Sequence, residues 1–299
     1  MTVPNSAISW CTGTLNLTVG CSRVSAACDH CYADVTVNRV YGGGFFDKIR
    51  LFPQRLKELR KFEPRRSGTS WIPCCVFVNS LSDFWHEKIP DKFIHDALDE
   101  FERHPNKIFQ ILTKRPGRMR RFIEDRYKKT RVPEHFWLGV TAEDNRVKRT
   151  LDIMRATKAY VGNFTAFASV EPITAPTDEL DFSDIDWVLT GGESGPKARA
   201  MKFKWLETVH DVVLGAGIPL HFKQYGTAQN NPLARAIYSR DHWKRHAPTF
   251  SGALQEAITA GQELAPDEKG GATYKGKVYH EKPPHYHKLK AELNKRKIV

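Results

Sequence analysis

The sequence lacks any hydrophobic run that approaches the roughly 18 to 20 residues needed to cross a bilayer. Its amino-terminal segment, MTVPNSAISW, has neither the basic nor the apolar stretch of a signal peptide. We therefore expect a cytoplasmic protein with no membrane partner. Disorder as the main state is also excluded, because 40% of the 299 residues are hydrophobic and 11% are aromatic. This length and composition predict one large domain, or one domain with an appendage.

Cysteine is scarce, with 6 residues in the whole chain. This is far below the density of secreted domains that disulfides hold together, so reduced thiols are expected. The distribution is uneven: four cysteines fall between positions 11 and 31, whereas Cys74 and Cys75 are adjacent in an apolar stretch. We expect the adjacent pair to be small core residues. The clustering of the other four indicates a role as ligands.

Acidic residues are in deficit, since 34 Asp and Glu face 46 Lys and Arg, a formal net charge of +12. The basic residues concentrate at 117–131 and at 269–299, and the second segment also carries Tyr274, Tyr279 and Tyr286. Cations interleaved with aromatic rings suit phosphate contacts and base stacking, which favours a nucleic acid partner, either DNA or RNA. The alternative is a solvated helix face and a soluble tail.

Short apolar runs of strand length recur along the chain, and most of them do not alternate with polar residues. Strands of parallel sheets show this pattern because helices bury both faces of the sheet. The runs lie at 15–19, 75–79, 108–112, 136–140, 166–170, 186–190 and 219–223. Segments with helical spacing of apolar residues lie at 50–61, 91–103, 117–129, 145–156 and 201–215.

This alternation predicts an α/β fold of parallel βα repeats, a partial or full (β/α) barrel, over residues 1–226. A doubly wound open sheet is the competing architecture. The rhythm breaks after that point, and residues 227–299 are interpreted as an extension with a basic C-terminal tail. In either architecture ligands bind at the carboxyl ends of the parallel strands, so the residues just past each run are expected to share one site.

The residues that follow the predicted strands are unusually polar. A single polar set would be ordinary loop chemistry or helix capping, but several sets that converge on one rim favour a binding site. The turn at 191–195 is the best individual case, because its glycines permit close backbone approach and Glu193 adds a carboxylate. The strand-end set is Asn79, Ser80, Ser82, Asp83, Thr113, Lys114, Arg115, Thr141, Glu143, Asp144, Glu171, Pro172, Gly191, Gly192, Glu193, Ser194, Gly195, Lys223, Gln224 and Tyr225.

The strongest chemical signal is the C-x6-C-x2-C pattern of Cys21, Cys28 and Cys31, directly after the first predicted strand. Three thiolates on one loop suit a [4Fe-4S] cluster whose fourth iron lacks a protein ligand and is open to a small molecule. The alternative is a closed zinc site in which Cys11 supplies a fourth thiolate and the metal only stabilises the fold. Zinc sites usually combine two cysteine pairs of the C-x2-C type, whereas Cys11 is a single cysteine ten residues upstream of Cys21. The spacing therefore favours an iron-sulfur cluster over a zinc site.

Six ordered motifs resemble a known family: TVGCSRVSAACDHCYA, FVNSLSDFWH, ILTKRPGRM, SVEPI, LTGGESGPKAR and HFKQYG. The three-cysteine loop, with His30 before its last cysteine, resembles the radical S-adenosylmethionine (radical SAM) superfamily. The full set is similar to an uncharacterised radical-SAM-like family of phages and bacteria, over residues 8–226 and more weakly over 270–284. The usual superfamily loop is C-x3-C-x2-C, so three residues are inserted here before Cys28.

The resemblance implies a barrel of the radical SAM type and the corresponding chemistry. SAM would bind the open iron through its amino and carboxylate groups, and one electron from a donor would cleave it to a 5′-deoxyadenosyl radical. Together with the charge pattern, this favours modification or repair of a nucleic acid or a nucleotide. The alternative function is a non-catalytic, zinc-containing nucleic-acid-binding protein.

The resemblance and the predicted topology also assign roles to residues. Lys114 is expected to meet the carboxylate of SAM, and Glu171 or Glu193 its amino group or ribose. Tyr32 is expected to shield the cluster or pack near adenine, with a core aromatic as the alternative, and Lys223 has as its alternative a salt bridge to Glu193 or Glu171. The predicted metal ligands are Cys21, Cys28 and Cys31; the cofactor-binding residues are Tyr32, Asn79, Ser80, Asp83, Lys114, Glu171, Gly191, Gly192 and Glu193; and the catalytic residues are Glu193 and Lys223.

Overall fold

A computed structural model of the chain describes residues 2–162, 164–195, 197–227, 230, 272–275 and 277–296. Most of the predicted extension, at 231–271, therefore lies outside the described residues. The described chain has a mixed α/β fold built on a mostly parallel sheet of eight strands. The predicted fold class is confirmed.

The strand bounds agree with most of the predicted runs to within one or two residues. The described strands are β1 (Thr2–Val3), β2 (Gly13–Leu15), β3 (Thr18–Val19), β4 (Arg50–Leu51), β5 (Arg65–Ser67), β6 (Ser70–Ile72), β7 (Cys74–Val78), β8 (Lys107–Thr113), β9 (Phe136–Thr141), β10 (Thr165–Val170), β11 (Trp187–Gly191), β12 (Leu220–Gln224), β13 (Thr273–Tyr274) and β14 (Lys277–Val278).

The main sheet has the order β1-β2-β7-β8-β9-β10-β11-β12. Neighbouring strands from β2 to β12 are parallel, and β1 joins β2 in the antiparallel direction. The order follows the chain without the reversal of a doubly wound sheet. Within the described residues β1 and β12 do not pair, so the sheet is open and no closed barrel forms. Of the two predicted barrel forms, the described part of the chain does not show the closed one.

The predicted strand at 15–19 is divided into β2 and β3. The chain leaves the main sheet at Asn16, whose Oδ1 accepts a hydrogen bond from the backbone N–H of Leu81 at 2.8 Å. β3 then pairs in the antiparallel direction with β4, where Thr18 faces Leu51. This departure from the sheet places the cysteine loop directly after β3.

The helices that connect β7 to β12 cover one face of the sheet. The predicted helices at 91–103, 117–129 and 201–215 are present, the one at 145–156 begins with a short 3-10 turn, and the one at 50–61 is a 3-10 helix. The first and last α-helices were not predicted, and in the first of them the buried residues are Ala33 and Val37. The helices are α1 (Tyr32–Tyr41), α2 (Asp91–Glu102), α3 (Pro116–Tyr127), α4 (Arg149–Val161), α5 (Phe203–Gly215) and α6 (Pro284–Arg296), with 3-10 helices at Ala26–Cys28, Pro53–Lys61 and Asn145–Val147.

Side chains alternate between two apolar clusters along each strand, as the period of two of a strand requires. On β7, Val76 and Val78 face the cluster under the helices, whereas Phe77 faces an inner cluster on the opposite side of the sheet. The inner cluster is rich in large aromatic residues: Trp10, Phe77, Trp137, Phe167 and Trp187. Because both faces are buried, polar groups concentrate at the strand ends.

The segment before and within α6 packs on the inner cluster. Tyr286 and Leu289 contact it, and the Lys282 ammonium donates to the carbonyl of Trp10 at 2.8 Å while lying over the ring of Trp187. Burial lowers the pKa of Lys282. This part of the predicted basic tail is therefore packed against the core of the sheet. No described helix is both long and apolar enough to cross a membrane.

We expect Tyr286→Ala to destabilise the protein, because the ring of Tyr286 covers the inner cluster. The loss should be about 1 to 3 kcal/mol, below the value for a fully buried aromatic residue. Urea denaturation followed by circular dichroism measures it. The matched control is Tyr160→Ala, since Tyr160 is 63% exposed and its removal should change stability by no more than about 0.5 kcal/mol. Equal effects of the two changes would contradict the packing role.

Candidate functional site

The cysteine loop lies between β3 and α1. Cys21 follows Gly20, which forms a parallel bridge with Ser82 just past β7. Cys28 ends the 3-10 turn Ala26–Cys28, and Cys31 is the residue before α1. Cys21 and Cys31 pack against one small apolar cluster made of Val19, Ala33, Val37, Phe45 and Leu81.

The thiol of Cys28 lies within electrostatic reach of the thiols of Cys21 and Cys31. Burial raises the pKa of Cys21 to about 11 and also raises the pKa of Cys31, and the charge of Cys28 adds to both shifts. Two cations act in the opposite direction, Arg115 at Cys21 and Lys114 at Cys31. Thiols with raised pKa values are protonated at neutral pH, and a metal that binds them must displace those protons.

The described residues contain no group of three or more His, Cys, Asp or Glu side chains arranged to hold a metal ion. The donor set still suits an iron-sulfur cluster, since three thiols share one short loop and two cations lie close enough to balance thiolate charge. Ligation would require the loop to close around the cluster, which is the usual coupling of metal binding to local folding.

Hydrogen bonds join the first half of the loop to the ends of β8 and β9. Arg115, just past β8, donates through Nη2 to Ser22 Oγ at 2.6 Å. His86 accepts at Nδ1 from the backbone of Lys88, so its Nε2 carries the proton and donates to Ser22 Oγ at 2.9 Å. Ser25 donates to the carboxylate of Glu143, just past β9.

Two further contacts join the second half of the loop to the ends of β11 and β7. His30 donates through Nδ1 to Glu193 Oε2 at 3.0 Å, and Arg199 donates to the same carboxylate through its backbone and its guanidinium. Burial acts to raise the pKa of Glu193, but the hydrogen bonds from Arg199 and His30 outweigh it and hold that pKa low. The Tyr32 hydroxyl donates to the carbonyl of Ser80 at 2.7 Å. The loop therefore spans the carboxyl edge of four parallel strands.

Asp83 and Lys114, both predicted to bind a cofactor, lie beneath this loop. Asp83 accepts from Thr113 Oγ1 at 2.7 Å and from the backbone N–H of Lys114 at 2.9 Å, so it fixes the end of β8. The Lys114 ammonium is 3.2 Å from Glu143 Oε2. It is buried, yet it makes no directed hydrogen bond within the described part of the chain. This group is available to donate to a ligand.

Asn79 and Ser80 bond to neighbouring chain segments. Asn79 has a left-handed backbone with φ of 61°, and its amide exchanges two hydrogen bonds with Thr18, at 3.1 and 2.9 Å. The Ser80 hydroxyl donates to Asn16 Oδ1 at 3.2 Å. These side chains join the end of β7 to the segment that leads into the cysteine loop. Their predicted contact with a cofactor stays a prediction.

Glu171, Lys223, Gly191 and Gly192 lie together at the ends of β10, β11 and β12. The Lys223 ammonium is 2.7 Å from Glu171 Oε1. The salt bridge that the sequence predicts as the alternative role of Lys223 therefore forms with Glu171 and not with Glu193. A Cβ on Gly191 would lie 3.0 Å from the Glu171 side chain, and one on Gly192 would lie 1.9 Å from the carbonyl oxygen of Tyr225. At Gly192 two backbone segments therefore approach one another too closely for any larger residue, whereas at Gly191 the neighbour is a side chain.

Sequence reasoning missed the roles of His30, His86 and Arg199. His30 lies in the motif TVGCSRVSAACDHCYA and His86 ends the motif FVNSLSDFWH. Arg199 ends the motif LTGGESGPKAR. A charge opposite to that of Glu193 six residues later was a usable signal for Arg199. The partners of the two histidines lie more than 60 positions away in the chain, at Ser22 and Glu193, so local spacing held no signal for them.

Comparison with known proteins identifies a family. A family model described as "Protein of unknown function (DUF5131)" matches residues 5–283, which is most of the chain. The chain belongs to this family. No curated protein matches the sequence.

Several solved structures of spore photoproduct lyase resemble this DUF5131 chain. A cysteine-to-serine variant matches with a TM-score of 0.44 and 14% identity over 64% of this chain and 58% of that one. A tyrosine-to-phenylalanine variant matches with a TM-score of 0.46 and 10% identity over 72% and 77%. A double variant with bound AdoMet and dinucleoside spore photoproduct matches with a TM-score of 0.41 and 13% identity over 60% and 56%. The match thus spans 58% of the first of these chains.

We expect Gly192→Ala to disrupt the glycine turn, because the new Cβ would meet the Tyr225 carbonyl at 1.9 Å and a backbone atom cannot rotate away. The expected loss is about 3 kcal/mol, the upper end for an overpacked site. Thermal and urea unfolding measure it. Gly117→Ala is the control, since its Cβ meets nothing within 4 Å and helix propensity should leave stability equal or slightly higher. A well-tolerated Gly192→Ala would show that the close approach is absent in solution.

Proposed function

We propose that the protein is a radical SAM iron-sulfur enzyme in which Cys21, Cys28 and Cys31 hold a [4Fe-4S] cluster. The observation that carries the proposal is the position of the cysteine loop, which hydrogen bonds hold across the carboxyl ends of β7, β8, β9 and β11. Ligands of parallel α/β proteins bind at this edge. The motif resemblance independently points to the same chemistry.

A cluster held by the three cysteines would offer an open iron to the amino and carboxylate groups of SAM, and it would pass on one electron from an external donor for the reductive cleavage of SAM. The residues of the chain orient the cofactor and exclude water. The buried Lys114 ammonium has donor capacity for a carboxylate, because its partner Glu143 makes no directed hydrogen bond with it. Glu143 and Glu171 offer carboxylates for an ammonium group or ribose hydroxyls.

Glu193 and Lys223 are the proposed catalytic residues. The hydrogen bonds from Arg199 and His30 keep Glu193 ionised, and the same bond to His30 fixes the loop between Cys28 and Cys31. Lys223 is paired with Glu171 at 2.7 Å. Tyr32, a residue that is 51% exposed, lies next to the last cysteine and is proposed to shield the cofactor.

A nucleic acid or nucleotide is the proposed substrate class, on the basis of the net charge of +12. Internal pairing reduces the charge available in the basic segment 117–131, where four of the basic residues form ion pairs: Arg118, Arg120, Arg126 and Lys128. Arg121, Lys129 and Arg131 are exposed, and they form no ion pair with any residue that the structure describes. These three residues are the proposed phosphate contacts.

The zinc alternative requires Cys11 to join the cysteine loop. Cys11 instead packs in the inner cluster beside Trp10 and Cys75, and its thiol points to the carbonyl of Ile8 at 3.7 Å. Burial raises its pKa to about 11. These contacts favour ligation by three cysteines over ligation by four.

We expect protein purified and reconstituted without oxygen to contain four irons and four sulfides per chain, as a [4Fe-4S] cluster requires. Substitution of Cys21, Cys28 or Cys31 by Ser should abolish the cluster and its visible absorption, whereas Cys11→Ser should retain both. Iron, sulfide and zinc analysis measures the metal, and release of 5′-deoxyadenosine from SAM with dithionite measures the reaction. Stoichiometric zinc that Cys11→Ser removes would overturn the proposal.

The proposed phosphate contacts predict binding to DNA or RNA that weakens steeply with salt. Replacing Arg121, Lys129 and Arg131 by Gln should lower affinity and reduce the slope of log K against log salt by roughly 0.9 for each lost phosphate contact. Fluorescence anisotropy over a salt series measures both. Lys92→Gln is the control, because Lys92 is 82% exposed on α2 and paired with Asp96. Absence of any binding at low salt would remove the nucleic acid proposal.

A further inference from the structure

Arg115 is a basic residue in direct contact with the cysteine loop. It lies between β8 and α3, and its side chain is 11% exposed. Its Nη1 lies 3.8 Å from Cys21 Sγ, within range of an N–H to sulfur hydrogen bond. Its Nη2 donates to the hydroxyl of Ser22 at 2.6 Å and to the carbonyl of Ser22 at 3.3 Å. The guanidinium therefore contacts both a predicted cluster ligand and the residue that follows it.

Carboxylates hold this guanidinium from the other side. Its Nε donates to Glu87 Oε2 at 2.7 Å, and its Nη1 lies 3.5 Å from Asp83 Oδ2. Asp83 is itself fixed by Thr113 and by the backbone of Lys114. The planar fork of an arginine held on both sides loses little entropy on donating to a further acceptor. Residues outside the cysteine loop therefore fix the position of the guanidinium beside Cys21.

A positive donor beside a ligand sulfur acts on the redox chemistry of an iron-sulfur cluster. Reduction adds one electron and hence one negative charge, and hydrogen bonds to the sulfurs together with nearby positive charge stabilise that charge. The effect is larger for a guanidinium that is screened from water than for an exposed one. The geometry of Arg115 meets both conditions.

We propose that Arg115 is a positioning residue that raises the reduction potential of the cluster through Cys21 Sγ, and that Glu87 moderates this effect. The inference rests on the proposed function, since it presupposes that Cys21 is a cluster ligand. The step is the addition of one electron to the oxidised cluster by a one-electron reductant, and no covalent bond forms or breaks. Arg115 and Glu87 thus act in opposite directions on one measurable quantity.

The test is a redox titration of the reconstituted protein with dithionite, followed by electron paramagnetic resonance. Arg115→Gln should make reduction at least tenfold less favourable, a shift of about 59 mV to more negative potential for one electron. Glu87→Gln should shift the potential in the positive direction by a smaller amount, because the Glu87 side chain is 63% exposed. Loss of packing alone would not produce two shifts of opposite sign.

Arg126→Gln is the matched control. Arg126 also pairs with carboxylates, Asp99 and Glu102, but it lies at the other end of α3, roughly 16 Å along the helix axis. The cluster of the Arg126→Gln protein should have the same reduction potential as the cluster of the unchanged protein.

A cluster whose potential is the same in all four proteins overturns this inference and leaves the proposed function standing. An unchanged protein that binds no cluster overturns both. If the Arg115→Gln protein retains no cluster, the reduction potential of the Glu87→Gln protein decides between the outcomes. A Glu87→Gln potential that is not higher than that of the unchanged protein overturns the inference.

Discussion

The hydrogen bonds between the cysteine loop and the strand ends are the interaction on which the site depends. Each half of the loop is held by side chains that come from different strands, at Arg115 and Glu143 on one side and at Glu193 on the other. A free loop of this length would lose backbone entropy on binding a ligand. Anchoring at several points means that much of this cost is met when the protein folds.

The sheet explains why these anchors gather at one edge. Both of its faces are filled by apolar clusters, and the inner cluster is covered further by Tyr286 and Leu289 near the carboxyl terminus. A buried polar group without a partner is costly, so polar side chains collect at the strand ends, where they find each other and the loop. Parallel strands direct these ends to the same side. The fold and the position of the site thus have a common cause.

Much of the fold was predictable because strand and helix periods are local properties. The runs at 108–112 and 136–140 lie within β8 and β9, and the stripe at 91–103 is α2. The division of the run at 15–19 was not predictable, because the chain leaves the sheet at Asn16, whose partner Leu81 is far away in the chain. The packing of Lys282 on Trp10 was missed for the same reason. Its charge predicts exposure, and the groups that make its burial tolerable, the Trp10 carbonyl and the Trp187 ring, lie far away in the chain.

The sequence by itself determined the α/β class, the cysteine loop and the set of polar residues at the strand ends. Each of these features follows from the types and the spacing of residues that are close together in the chain. The tertiary structure decided which of these residues face each other. It paired Lys223 with Glu171, Lys114 with Glu143 and His30 with Glu193, and it separated Cys11 from the loop. Such pairings follow from strand order and from how the helices pack on the sheet, and neither is a property of any short segment of the chain.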